Sequence, residues 1–170
     1  MKKHTFSLRL LILLICAVVS ASAFYPSGGG STAAAAESEL RGVWVSTVAN
    51  IDFPSQQTTD SEVLKKEIDA IMNNCSDMGF NAVFFQVRPA SDALYKSDIF
   101  PWSRYLTGTQ GVAPDNGFDP LAYAVQEAHA RNIQLHAWIN PYRITNSSAD
   151  NSRLAANNPA VLHPELVITD

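Results

Sequence analysis

Cysteine is scarce in this chain of 170 residues, which holds two, and Cys16 lies in an apolar run near the N-terminus. Once that run is removed Cys75 stands alone, which excludes an intrachain disulfide and, at its helical spacing, reads as a buried core thiol rather than a nucleophile. Histidine is equally sparse: four residues, with no His-x-x-x-His pair and no cysteine cluster. No metal site and no cofactor is therefore indicated. Basic residues are outnumbered, 12 against 16 acidic. Setting aside Lys2, Lys3 and Arg9 leaves nine basic residues against sixteen acidic ones, an acidic chain ill suited to nucleic acid or anionic membrane surfaces.

What the N-terminus does hold is a targeting pattern. Lys2 and Lys3 precede the apolar run 8–19, and Ala21-Ser22-Ala23 supplies a small-residue cleavage pattern, so residues 1–23 read as a secretory signal peptide. The run is short for a membrane span, and no stop-transfer flank follows it. Residues 24–36, with Gly28-Gly29-Gly30 and the alanines 33–36, read as a flexible tether or a continuation of the signal, with a second cleavage point after Ala36. The expected product is secreted or extracytoplasmic, without a stable membrane span after cleavage. An uncleaved anchor is the alternative, and lipidation at Cys16 is disfavoured because Ile15 stands where a small residue is wanted.

Residues 37–170 form the folded part, and they alternate strand and helix. Residues 40–48 are β-rich and bounded by polar residues, and they read as the first strand. Thr59 and Glu62 make a capping box for a helix over 62–78, with an apolar stripe of Leu64, Ile68, Ile71, Met72 and Cys75, and Gly79 is placed to close it in a left-handed conformation. A second strand over 82–87 is apolar on both faces until Gln86 and Arg88, as strands of helix-covered parallel sheets are. Asp119-Pro120 caps a helix over 121–131, which Asn132 ends. The third strand covers 133–139 and stops at Asn140-Pro141. This order predicts an α/β fold of the parallel (β/α)8 barrel type, in which function sits at the C-terminal ends of the strands. Three strands are visible, so the barrel is expected to be incomplete in this chain.

The connection 89–118 is long, and loops of that length are functional or disordered. Its Tyr95, Phe100, Trp102 and Tyr105 argue for order. Such rings either stack on the flat faces of sugars or simply pin the loop.

Four blocks carry a family resemblance: Leu40-Arg41-Gly42-Val43-Trp44-Val45, Phe84-Phe85-Gln86-Val87-Arg88-Pro89, Asp92-Ala93-Leu94-Tyr95, and His136-Ala137-Trp138-Ile139-Asn140-Pro141-Tyr142-Arg143. In this order and spacing the chain after Glu37 resembles the opening part of the glycosyl-hydrolase-like 10 family. The resemblance implies an exported (β/α)8 barrel that hydrolyses O-glycosyl bonds of a polysaccharide, with bacterial cell-wall glycan as the substrate class. Barrels of this type run to about 250 residues, and the later blocks, including an acidic motif at a downstream strand end, are absent before Asp170. The catalytic acids are thus expected beyond it.

Candidate substrate-binding residues are Arg88, Asp92, Trp138, Asn140, Tyr142 and Arg143. A guanidinium at the end of an apolar strand must be paired, through substrate oxygens or a site carboxylate, and a loop-ordering salt bridge to Asp92 is the structural alternative. Asp92 either binds a sugar hydroxyl or caps the loop beside Arg88. His136, Trp138 and Asn140 share one strand face, with Asn140 nearest the mouth, Trp138 a layer below and His136 a core histidine. Tyr142 and Arg143 follow in the loop, within reach of a ligand. Trp44 is expected to fill the core, His129 to meet its helix dipole, and Asp52 to serve its own turn. Hydrolysis needs two carboxylates about 5 to 9.5 Å apart, and neither role falls to Asp52, Asp92 or Glu165. The contrasting reading is a truncated, catalytically inactive carbohydrate-binding half-barrel with open strand edges. A polysaccharide deacetylase would require the metal-binding cluster that the sequence lacks.

Overall fold

The computed structural model describes residues 39–146 and 152–168. The signal and tether expectations fall on residues outside these. Elements follow in the order β1 (Gly42–Val45), α1 (Ser61–Asp77), β2 (Ala82–Arg88), α2 (Arg104–Thr107), α3 (Pro120–Ala130), β3 (Gln134–Ile139) and α4 (Pro159–Leu162). The strands form one parallel sheet in the order β1-β2-β3. Trp44 lies opposite Phe84, Phe84 opposite His136, and Gln86 opposite Trp138. The register slips between Gln86 and Arg88, a bulge of the kind that re-aims side chains at sheet ends. The architecture is α/β, with a three-stranded parallel sheet and crossover helices.

Alternation along the strands separates two faces. Val43, Val45, Val83, Phe85, Val87 and Leu135 pack with Leu64, Ile68, Met72 and Cys75 of α1 and with Ala124 and Ala128 of α3. Phe85, at 1% exposure, and Phe53 meet in this core, their ring centroids 5.5 Å apart. The helices hold each other through the Tyr123 hydroxyl, which donates to Asp69 Oδ1 at 3.0 Å, and through Arg131 Nε, which donates to Asn73 Oδ1 at 2.8 Å.

The opposite face carries a row of rings. Trp44 stacks on Phe84 at 4.7 Å and meets Trp138 edge-on at 5.1 Å, and Phe84 stacks on His136 at 4.8 Å. Trp44 is 59% exposed rather than core-packed, and His136 lies exposed in this row instead of in the core. The reason is that no described helix covers this side of the sheet. Gly42 serves the row: a Cβ there would lie 2.7 Å from Phe84 Cε2, so only glycine lets that ring lie across β1.

Helix ends explain most boundary differences. Asp60, not Thr59, caps α1, its carboxylate accepting from the N–H groups of Glu62 and Val63, because Thr59 turns its hydroxyl to Asp115 Oδ2 at 3.0 Å. At the other end Gly79 adopts φ +76°, while the Phe80 N–H donates to Cys75 O at 2.9 Å and the Gly79 N–H to Ser76 O at 3.0 Å, the paired bonds of a Schellman stop. Asn132, at φ +55°, ends α3 in the same way. β1 is shorter than its β-rich sequence because Ser46 and Thr47 leave the sheet for a 3-10 turn over Val48–Asn50.

Candidate functional site at the strand ends

Three chain segments meet at the C-terminal ends of the strands, and a side chain of β2 organises the first. Gln86 is fully buried, and its Oε1 accepts from the N–H groups of Thr47 at 2.9 Å and Val48 at 2.8 Å and from the Ser46 hydroxyl at 3.2 Å. The Thr47 hydroxyl returns a bond to the Gln86 carbonyl at 2.9 Å. These contacts replace the ladder bonds that β1 gives up when it turns away. Asp52 closes that turn by accepting from the Ser46 N–H at 2.7 Å. Asn50 then ties it to the next loop, donating to Tyr105 O at 2.6 Å and to Pro54 O at 3.0 Å.

The connection 89–118 is ordered and partly regular. Ala93 and Trp102 form a β-bridge across it, and Ser103 caps α2 within it. Arg88 makes no salt bridge to Asp92. Its Cζ lies 3.5 Å from the centroid of the Phe100 ring, and its buried Nε has no hydrogen-bond partner among the described residues. The flat guanidinium thus finds a ring where the sequence suggested a carboxylate, because Asp92 is turned inward.

Asp92 is 1% exposed and accepts from Gln110 Nε2 at 3.2 Å. Gln110 Oε1 in turn receives Asn158 Nδ2 at 3.1 Å and the Ala155 N–H at 2.8 Å. Asn158 Nδ2 also donates to Ser91 O at 2.8 Å, and the Ser91 hydroxyl donates to Asn158 Oδ1 at 2.9 Å. This closed ring of Ser91, Asp92, Gln110 and Asn158 fastens the segment around α4 to the strand-end loop. A cavity of about 10 Å³, room for roughly one water-sized group, lies between Asp92, Arg104, Gln110, Ile144 and Arg153.

Burial raises the Asp92 carboxyl above the ordinary aspartate value of 3.8, opposed by Gln110, Ser103 and Arg104. The buried Asp92 Oδ1 has no hydrogen-bond partner among the described residues. The folded state therefore holds this proton more tightly than the unfolded chain. The resulting stabilisation is complete below the ordinary value and is lost as pH rises through the raised one. Asp92→Asn keeps an acceptor for Gln110 and cannot ionise. It is expected to match or exceed the wild-type melting temperature at pH 7 and to flatten the stability curve above pH 3.8. An unchanged slope in thermal unfolding across that range would refute the assignment.

After β3 the chain presents Asn140, Tyr142 and Arg143. Trp138 Nε1 donates to Asn140 Oδ1 at 3.0 Å, and Asn140 Nδ2 donates to Pro89 O at 3.1 Å, joining the β3 exit to the β2 exit. Tyr142 is 94% exposed and Arg143 is also exposed. The six expected residues thus divide: Arg88, Trp138 and Asn140 are half-buried at the strand ends, Tyr142 and Arg143 stand in solvent, and Asp92 lies beneath the loop. The framework roles of Gln86, Gln110 and Asn158 go beyond the sequence expectations, while Phe100, one of the rings expected to stack on sugar or pin the loop, meets Arg88. A lone glutamine in an apolar strand and an Asn-Pro pair at 158–159 were the signals for two of them. Among the described residues no three His, Cys, Asp or Glu side chains converge on a metal position.

Comparison with known proteins places this geometry. The Bacillus subtilis (strain 168) glycosyl hydrolase YngK is 45% identical over 132 residues, covering 78% of this chain and 26% of that protein. Glycosyl hydrolase DigH of Escherichia coli (strain K12) is 39% identical over 113 residues, covering 62% of this chain and 25% of its own length. The chain spans about a quarter of the length of these relatives. The Glycosyl hydrolase-like 10 family matches residues 39–169, nearly all of the part beyond the N-terminal segment. Strand-end blocks, sheet order and this match agree, and the chain belongs to the glycosyl hydrolase-like 10 family.

Proposed function

We propose that this chain is the N-terminal part of an exported (β/α)8 glycoside hydrolase acting on a bacterial cell-wall glycan. The carrying observation is the cluster of Arg88, Trp138 and Asn140 at the C-terminal ends of parallel strands, where barrel enzymes place their sites, in a chain whose relatives are named glycosyl hydrolases. In this reading the ringed face of the sheet looks into the barrel. Asn140 and Arg88 meet sugar oxygens, Trp138 supports them, Tyr142 and Arg143 wall the mouth, and Asp92 sets the floor of the loop. Asp52 is engaged by its own turn and Asp92 is sealed, so the acid and its partner carboxylate are supplied by the rest of the full-length protein. The secretory pattern of residues 1–23 accounts for access to wall glycan.

The test is reducing-end release from peptide-free cell-wall glycan by the full-length protein purified from the culture medium. Cleavage is expected, and Trp138→Ala is expected to raise KM roughly tenfold by removing an aromatic surface and the brace on Asn140. Binding without cleavage would favour the inactive carbohydrate-binding reading. Retention of the protein inside the cell would remove the export step.

A further inference from the structure

Among the described residues no carboxylate forms an ion pair with Arg88: the ion pairs engage Arg41, Lys65, Arg131 and His163, and Asp92, the acid nearest in sequence, is committed to Gln110. Phe100 covers one face of the guanidinium at 3.5 Å, and the buried Nε has no hydrogen bond among the described residues. A ring over one face removes water from the charge but leaves the in-plane N–H edge free to donate. A half-buried charge whose buried Nε–H has no acceptor among the described residues is costly unless something meets it. Neutral sugar hydroxyls would satisfy the donors but leave the charge.

We propose that Arg88, held flat on Phe100, is a receiving site for one carboxylate, which it binds through its planar N–H edge. A single guanidinium matches the charge and the two-oxygen geometry of a carboxylate, whereas phosphate sites usually gather several donors or cations. The carboxylate has two possible sources: an acidic sugar of the glycan, which rests on the function proposed above, or an acidic side chain elsewhere in the full-length protein.

The experiment compares the full-length protein with Arg88→Gln and Arg88→Lys by titration calorimetry, using two probes. One is a neutral oligomer of N-acetylglucosamine, and the other is a peptide-free oligosaccharide alternating N-acetylglucosamine with the carboxylate-bearing N-acetylmuramic acid. Melting temperature is followed against pH for each protein. If the sugar supplies the carboxylate, Arg88→Gln weakens the acidic probe roughly 10- to 100-fold and the neutral probe hardly at all. Arg88→Lys then falls between, since it keeps the charge but not the fork.

If the protein supplies it, both probes weaken alike. The stability advantage of wild type over Arg88→Gln then disappears as pH falls and the partner carboxyl protonates. Variants that match wild type with both probes and at every pH overturn the proposal. A wild-type protein that binds neither probe sinks the proposed function, and the pH arm alone then decides whether Arg88 has its carboxylate.

Discussion

Phe85→Ala is expected to lower the unfolding free energy by about 3–5 kcal/mol, a large part of the roughly 5–15 kcal/mol available to a typical domain. Phe85 is 1% exposed, sits on the central strand, and packs where the helices α1 and α3 meet the sheet. Its ring is tilted against Phe53, which belongs to the turn after β1, so the loss would spread from core to strand-end loop. Removing the ring leaves a void that backbone on both sides of a paired strand cannot collapse to fill. Denaturant unfolding checks this, with Phe84→Ala as the neighbouring control on the ringed face. A Phe85→Ala midpoint close to wild type would contradict the described core. A Phe84→Ala loss as large as that of Phe85→Ala would mean that the second face is equally covered in the full-length protein.

Gln86→Leu is the second large effect. Leucine keeps much of the volume but removes the oxygen that receives the Thr47 and Val48 N–H groups and the Ser46 hydroxyl. Each buried donor left without an acceptor costs about 1–3 kcal/mol, so a combined loss of roughly 2–5 kcal/mol is expected. The consequence is local as well as global: the turn after β1, with Ala49 and Asn50 both near φ +54°, depends on that amide. Hydrogen exchange at the Thr47 and Val48 amides should accelerate strongly. Unchanged protection there would show that the turn is held by other means.

Residues with only local business were readable in one dimension. Leu64, Ile68, Met72 and Cys75 repeat at helical spacing and are buried as expected; Gly79 and Asn132 stop their helices in left-handed conformations; Asp119-Pro120 opens α3. The near-continuous apolar run of β2 implied a parallel sheet, and the sheet is parallel. Each of these depends on neighbours within a few positions, so periodicity and capping chemistry carry the information.

Contacts between distant segments were different. Thr59 and Asp60 both have capping side chains, and only the position of Asp115 across the fold decides that Asp60 takes the role. Arg88 and Asp92 are four residues apart, yet Phe100 and Gln110 claim them separately. Asn158 reaches Ser91 across 67 positions. Sequence by itself determined the three strands, the two longer helices, their order and the family, because those follow from local patterns and short motifs. Tertiary structure alone decided which polar groups meet. Hydrogen bonds and ring contacts act over a few ångströms, and only the folded chain brings residues so far apart in sequence within that range.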